Sequence, residues 1–229
     1  MQHTLPINPE TSQTIRQIYT ILLYTYGEQN WWPAITNLDV CIGAILTQNT
    51  SWNNAERVMN ALRMMGLLSI GQLDNISILA LESAIRPSGT YRNKARKIKA
   101  FIQYLVQYWD GNLNTFLSVP KDLLRDELLC IYGIGQESAD AIVLYAAGKA
   151  SFVIDAYTRR IFDRIGLLGD MKSYNSIQNL FHRALGFNVK TFKEYHALIV
   201  QHGKTICTKE NPRCIECSLL KLCQTGSHT

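Results

Sequence analysis

Hydrophobic positions along the chain recur at spacings of three and four. Ile15, Ile18, Tyr19, Leu22 and Leu23 mark one such stripe, Val40, Cys41, Ala44 and Ile45 another, and Val58, Ala61, Leu62 and Met65 a third. Ala95, Ile98, Ile102, Leu105 and Val106 repeat the theme, as do Ala139, Ile142, Val143, Ala146 and Ala147. This is the period of amphipathic α-helices, and strand-like alternation with hairpin turn signals is absent. The pattern predicts about ten short helices and an all-α fold. No repeat, low-complexity segment or long polar linker divides the chain. We expect two helical lobes, one from residue 28 to 135 and one built from residues 1–27 with 136–206, followed by a cysteine-bearing loop over 207–223. A two-lobed arrangement leaves a cleft, where ligands tend to bind.

Composition changes this picture little. The 229 residues are 47% hydrophobic and 18% charged, enough to bury a core and unlike a disordered chain. The net charge of +5 permits a polyanionic partner without requiring one. Its distribution says more: from Arg86 to Lys99 stand six basic residues and no acid. Such a run is either a solvated helix face or a phosphate-binding patch. The N-terminal Met-Gln-His-Thr-Leu-Pro lacks a basic stretch followed by an apolar one, and nothing approaches the roughly 18 apolar residues of a membrane span. We therefore expect an intracellular protein with reduced thiols, whose six cysteines are not read first as disulfides. Cys41 and Cys130 lie in apolar runs and are expected in the core.

The other four, Cys207, Cys214, Cys217 and Cys223, form C-x6-C-x2-C-x5-C. Four thiolates so close in sequence can wrap one metal centre, either zinc or an iron–sulfur cluster. Zinc sites usually show two close cysteine pairs across a longer spacer. Only one close pair is present, so the spacing favours the bulkier cluster.

A second pattern lies upstream. An apolar helix over Leu123–Ile131 is interrupted by Tyr132-Gly133-Ile134-Gly135, and a periodic helix from Gln136 to Ala147 follows. Two glycines around one apolar residue allow a tight turn, and the start of the second helix attracts phosphate through its N–H groups and dipole. Beyond Gly148, the apolar run Ser151–Ile154 ends in Asp155, which opens a further helix containing Arg159. By itself Asp155 reads as a helix N-cap.

Together these segments resemble the helix-hairpin-helix, glycine/proline-rich, aspartate module of DNA glycosylases in the endonuclease III superfamily. Its pattern L-x-G-I/V-G-x-x-x-A is met from Ile131 to Ala139, with Ile131 for Leu and Tyr132 where Pro is usual; V-D-x-x-x-R is met by Ile154, Asp155 and Arg159. The cysteine spacing is similar to the 4Fe–4S loop of endonuclease III and of the adenine glycosylase acting on mispaired adenine. The resemblance implies double-stranded DNA with a damaged base as partner, a 4Fe–4S cofactor on the four cysteines, Asp155 as catalytic carboxylate, and phosphate contacts at Gly133, Ile134, Gly135 and Arg159. It implies that Gln48 inserts into the gap left by the flipped base; on its own, Gln48 is an ordinary polar helix end.

One departure bears on chemistry. Where bifunctional members carry a Schiff-base lysine, two residues beyond the second glycine, this chain has Glu137. A carboxylate cannot form an imine, so we expect a monofunctional glycosylase, unless Lys94 or Lys204 substitutes. Glu137, with Trp31-Trp32-Pro33, Gln48 and Tyr91, resembles the 3-methyladenine glycosylase branch. There aromatic faces from Trp31, Trp32 and Tyr91 would hold a cationic base, a contact of roughly 0.5–2 kcal/mol. The alternatives are an endonuclease III-like glycosylase with lyase activity toward oxidised pyrimidines, and a damage-binding module without chemistry. Nothing in the sequence requires more than a monomer.

Overall fold

The computed structural model describes residues 8–226; the N-terminal Met1–Pro6 stretch considered above lies outside the described residues. Among those described, all regular structure is helical. The α-helices are α1 (Pro9–Tyr26), α2 (Asn37–Leu46), α3 (Trp52–Met64), α4 (Ile70–Asn75), α5 (Ile78–Ala84), α6 (Tyr91–Trp109), α7 (Leu113–Ser118), α8 (Lys121–Cys130), α9 (Gln136–Ala141), α10 (Ala156–Ile165), α11 (Tyr174–Leu185) and α12 (Val189–Thr205). The helix expected over 136–147 is there, but its second half, Ile142–Ala146, is a π-helical turn. No described helix is long and apolar enough to cross a membrane.

Helix starts are set by short polar side chains. Thr36, Ser51, Ser69, Ser77, Asn112, Ser173 and Asn188 each accept a bond from a first-turn N–H that the helix itself cannot satisfy. Thr36 and Asp39 cap α2 reciprocally, and such caps contribute roughly 1 kcal/mol each.

The helices gather into two compact units. The inserted unit is Trp32–Lys149; the split unit joins the chain up to Trp31 with the chain from Ala150 onward. The divide therefore falls after Lys149 and not at 135. The reason is packing: α9 and its π-helical continuation lie against α2 and α8, with Ala139, Ile142 and Val143 fully buried. The cysteine loop, expected to be separate, belongs to the split unit, where Arg164 donates to the carbonyls of Thr208 (2.7 Å) and Lys209 (2.8 Å).

Most predicted stripes are buried, but their margins are not. Val106 and Met65 are exposed, and so is Cys130, while Cys41 is in the core. On α8 the buried positions are Leu124 and Leu128, with Ile131 just beyond; Cys130 falls off that stripe toward solvent.

In the split unit α1 packs on α11 and α12, and α10 packs on α12. Phe152, Phe162, Phe181, Phe192 and Tyr195 form its centre, with Phe152 stacked on Phe181 at 4.3 Å. Such ring pairs add about 0.5–1.5 kcal/mol beyond area burial. The Tyr195 hydroxyl donates to the Ile15 carbonyl at 2.8 Å, tying α12 to α1. The approach of α10 to α12 depends on Gly203: a Cβ there would meet Tyr157 Cδ1 at 2.4 Å. Arg160 bridges the same spot, lying over the Tyr157 ring and donating to the Gly203 carbonyl at 2.9 Å. Gly203→Ala should lower stability by about 1–3 kcal/mol through overpacking. Denaturant unfolding should show the loss, and shortening the neighbour in a Tyr157→Ala background should make the added methyl much less costly.

Candidate active site

The glycine turn lies in the inserted unit, between α8 and α9. Gly133 has φ +82°, a left-handed conformation that favours glycine. It is also crowded: a Cβ would sit 2.2 Å from Lys97 Cγ. Ile134 is buried and its N–H bonds to the Ile131 carbonyl, which closes the turn. Gly135 differs, since its backbone is extended and nothing lies within 4 Å of a Cβ built on it. No side chain caps α9, so the backbone at its start is approachable. Glu137, in the first turn of α9, is exposed.

Gln48, just after α2, does not stand apart from this turn. Its Nε2 donates to the Gly133 carbonyl (3.1 Å) and to Ser138 Oγ (2.9 Å), and Lys97 Nζ donates to its Oε1. Lys97 belongs to the basic run noted in the sequence, but its contact with Gln48 and that of Ser138 could not be read there, because the three residues come from separate parts of the chain. Lys94, considered as a substitute amine, is fully buried, with Nζ donating to the carbonyls of Leu46 (2.8 Å) and Ser88 (2.6 Å). Burial, with the charge of Lys97, pushes its amine down to about 8. It is a cross-brace between α2 and the loop before α6. Lys204 lies in the split unit with Nζ over the Trp31 ring at 5.3 Å.

In the split unit, Asp155 is the N-cap of α10. Its Oδ1 accepts from Thr158 N (2.7 Å) and Thr158 Oγ1 (2.8 Å), and Oδ2 faces His196 Nε2 at 3.6 Å. Burial raises the carboxyl, but the facing imidazole and the Thr158 donors outweigh it and leave it below its ordinary value. The side chain is therefore a buried carboxylate that stays ionised at neutral pH. Arg159, expected at a phosphate, donates to the Lys172 carbonyl (3.0 Å) and lies over Tyr174.

The expected aromatic trio divides among separate neighbours. Trp32 packs edge-on to Trp52 (5.2 Å) and beside Tyr145 (5.3 Å), directly above Gly43. Trp32 and Trp52 line a shallow recess with Pro33, Met59, Glu56 and Arg63. Tyr91 is flanked by the guanidinium groups of Arg86 and Arg92, and Trp31 keeps company with Lys204.

Cys207, Cys214, Cys217 and Cys223 line one recess. Among the described residues, no set of three or more His, Cys, Asp or Glu is disposed to hold a single metal ion; these cysteines ring a space instead. Donors are aimed at the sulfurs: Arg164 Nη1 at Cys207 Sγ (3.2 Å) and Gly226 N at Cys223 Sγ (3.4 Å). Gly226 is a close fit, since a Cβ would meet Leu220 Cδ1 at 2.8 Å. The His202 ring, pushed down to about 4 by burial, spans Tyr26 Oη (2.8 Å) and Cys217 Sγ (3.5 Å).

With this geometry in view, likeness to known proteins is informative. The chain belongs to the HhH-GPD superfamily of base excision DNA repair proteins, whose family model matches residues 42–186. It is 44% identical to a Methanocaldococcus jannaschii protein designated a candidate DNA repair glycosylase, MJ1434, over 92% of this chain and 96% of that one. Endonuclease III of Sulfolobus acidocaldarius is 28% identical over 80% of this chain and 79% of its own. Among solved structures, endonuclease III in a non-covalent DNA complex superposes with a TM-score of 0.81 at 23% identity, covering 95% of this chain and 97% of that one. The H. pylori 3-methyladenine DNA glycosylase MagIII, bound to 1,N6-ethenoadenine, gives 0.72 at 22% identity, covering 85% and 97%. The protein is a base excision repair DNA glycosylase of this superfamily with an endonuclease III-like fold.

Gly133→Ala should cost about 1–3 kcal/mol for the left-handed backbone, with a further steric loss from displacing Lys97. Equilibrium denaturation checks this: Lys97→Ala should recover the steric part and leave the backbone part.

Proposed function

We propose that this glycosylase is monofunctional, with Asp155 as its catalytic carboxylate, and that it removes an alkylated purine such as 3-methyladenine. The observation that carries this is the buried, ionised Asp155, with Oδ1 held by Thr158 and Oδ2 less encumbered. The damaged nucleotide is flipped from the stack while its backbone is gripped at the turn, where nothing in the protein fills the space at Gly135. As the C1′–N bond breaks, its electron pair leaves with the base and positive charge develops on the sugar. The Asp155 carboxylate stabilises that charge, as carboxylates do in glycoside hydrolysis. A water oxygen then bonds to C1′, and its proton passes to Asp155. A cationic methylated purine departs as a neutral base and needs no acid.

Two features support the narrower parts of this reading. No amine occupies the Schiff-base position, which is Glu137, and Lys94 is committed to two carbonyls. The tryptophan-lined recess offers electron-rich faces, with Glu56 and Asp39 beside Arg63, for a base that stacks or carries charge, and MagIII, a 3-methyladenine DNA glycosylase of this fold, was solved bound to 1,N6-ethenoadenine.

The four-cysteine recess fits a 4Fe–4S cluster held by Cys207, Cys214, Cys217 and Cys223, with Arg164 and the Gly226 N–H donating to sulfur. When bound, the cluster supplies a cross-link for the loop. Freshly purified protein should then be yellow-brown with about four irons per chain, and Cys214→Ala should lose colour and stability. Colourless, zinc-loaded protein would refute the assignment.

Methylated DNA should release free 3-methyladenine, whereas oxidised DNA should release little. Asp155→Asn should bind lesion DNA as the wild type does yet lose at least about a hundredfold in release rate. Borohydride should trap no covalent adduct; a trapped adduct would instead favour the bifunctional reading.

A further inference from the structure

A carboxylate offers about four acceptor positions, and in Asp155 two of them, both on Oδ1, are taken by hydrogen bonds. Thr158 places two donors on Oδ1, and across from them the His196 ring faces Oδ2. Both Asp155 and His196 are buried, at 8% and 5% exposure, so little solvent screens this contact. His196 is brought there by α12 as a whole. It lies seven residues before Gly203, two helical turns along the same face, and Gly203 is where the Tyr157 ring and the Arg160 guanidinium fix α12 against α10. The pairing that seats Tyr157 and Arg160 against Gly203 thus also brings His196 to Asp155, two residues before Tyr157.

We propose that His196 is a positioning residue for Asp155: its Nε2–H aims Oδ2 and holds its charge, leaving one acceptor direction for the reacting water and sugar. Without it the carboxylate would be fixed by one oxygen only and could turn about its Cβ–Cγ bond. His196 itself exchanges no proton in base release and does not touch the sugar. The inference rests on Asp155 being the catalytic carboxylate, and the test separates the two.

Base release is measured under single-turnover conditions, with DNA affinity measured separately, for His196→Phe, His196→Gln, His196→Gly and Asp155→Asn. His196→Phe keeps ring volume without a donor and should slow release about tenfold to a hundredfold, the usual scale for a supporting residue, with DNA affinity unchanged. His196→Gln, which retains a donor, should recover part of that loss, and added imidazole should speed His196→Gly. If Asp155→Asn is inactive while His196→Phe matches the wild type, the positioning role is wrong and the carboxylate assignment stands. If Asp155→Asn itself matches the wild type, both fall. If release and affinity decline together in His196→Phe, and neither glutamine nor imidazole restores the rate, the histidine is structural and the inference fails.

Discussion

The two bonds from Thr158 to a single oxygen of Asp155 are the constraint around which the split unit is arranged. A helix of this family of lengths leaves its first N–H groups without partners, and a carboxylate at the N-cap satisfies one while gaining from the helix dipole. Asp155 meets that need with Oδ1 alone. Its backbone is extended and the preceding Phe152–Ile154 are buried, so the residue cannot swing away without uncovering core. Anchoring thus falls to one oxygen of the group, and the other faces His196. The facing His196 ring, and after it the Thr158 donors at the helix start, hold the carboxyl below its ordinary value against the cost of burial.

In the inserted unit a similar economy links the glycine turn to Gln48. The left-handed Gly133 makes room for the Lys97 stem, its carbonyl accepts from Gln48, and Lys97 reaches the other end of the same amide. The turn is therefore a joint among α2, α6 and the α8–α9 pair, more than a flexible connector. Lys94, one turn before Lys97, anchors α6 by bonding two carbonyls in the core. Of these two lysines, one bonds only to carbonyls of the core, and the other ties α6 to Gln48 beside the glycine turn.

What could be seen in the sequence was what is local. Helices follow from three-and-four spacing and from Ser, Thr and Asn at their starts. Asp155 and the glycine turn stand out because each is a short run with its own signature. The four cysteines are legible for the same reason. His196 was invisible because its meaning depends on the packing of α10 against α12, which brings a residue about forty positions along the chain to face Asp155. Cys130 misled because an apolar neighbourhood does not say which side of a helix a residue occupies; Leu124, Leu128 and Ile131 do. The lobe boundary misled because a turn looks like a divide, whereas α9 continues into the same core as α2 and α8.

The split unit also has a history built into it. Its first helix, α1, has Ile15, Ile18 and Leu22 fully buried, and its partners are α11 and α12. Tyr195 bonds back to Ile15, and Arg16 reaches the Ala184 carbonyl at 2.6 Å. On the ribosome α1 emerges long before those partners exist, so its apolar stripe must wait through synthesis of the whole inserted unit. At roughly 5–20 residues per second, that interval is many seconds, ample for helices of the inserted unit to settle first. The connectivity thus fixes what must wait: α1 cannot bury its stripe against α11 and α12 until the chain has passed through the whole inserted unit.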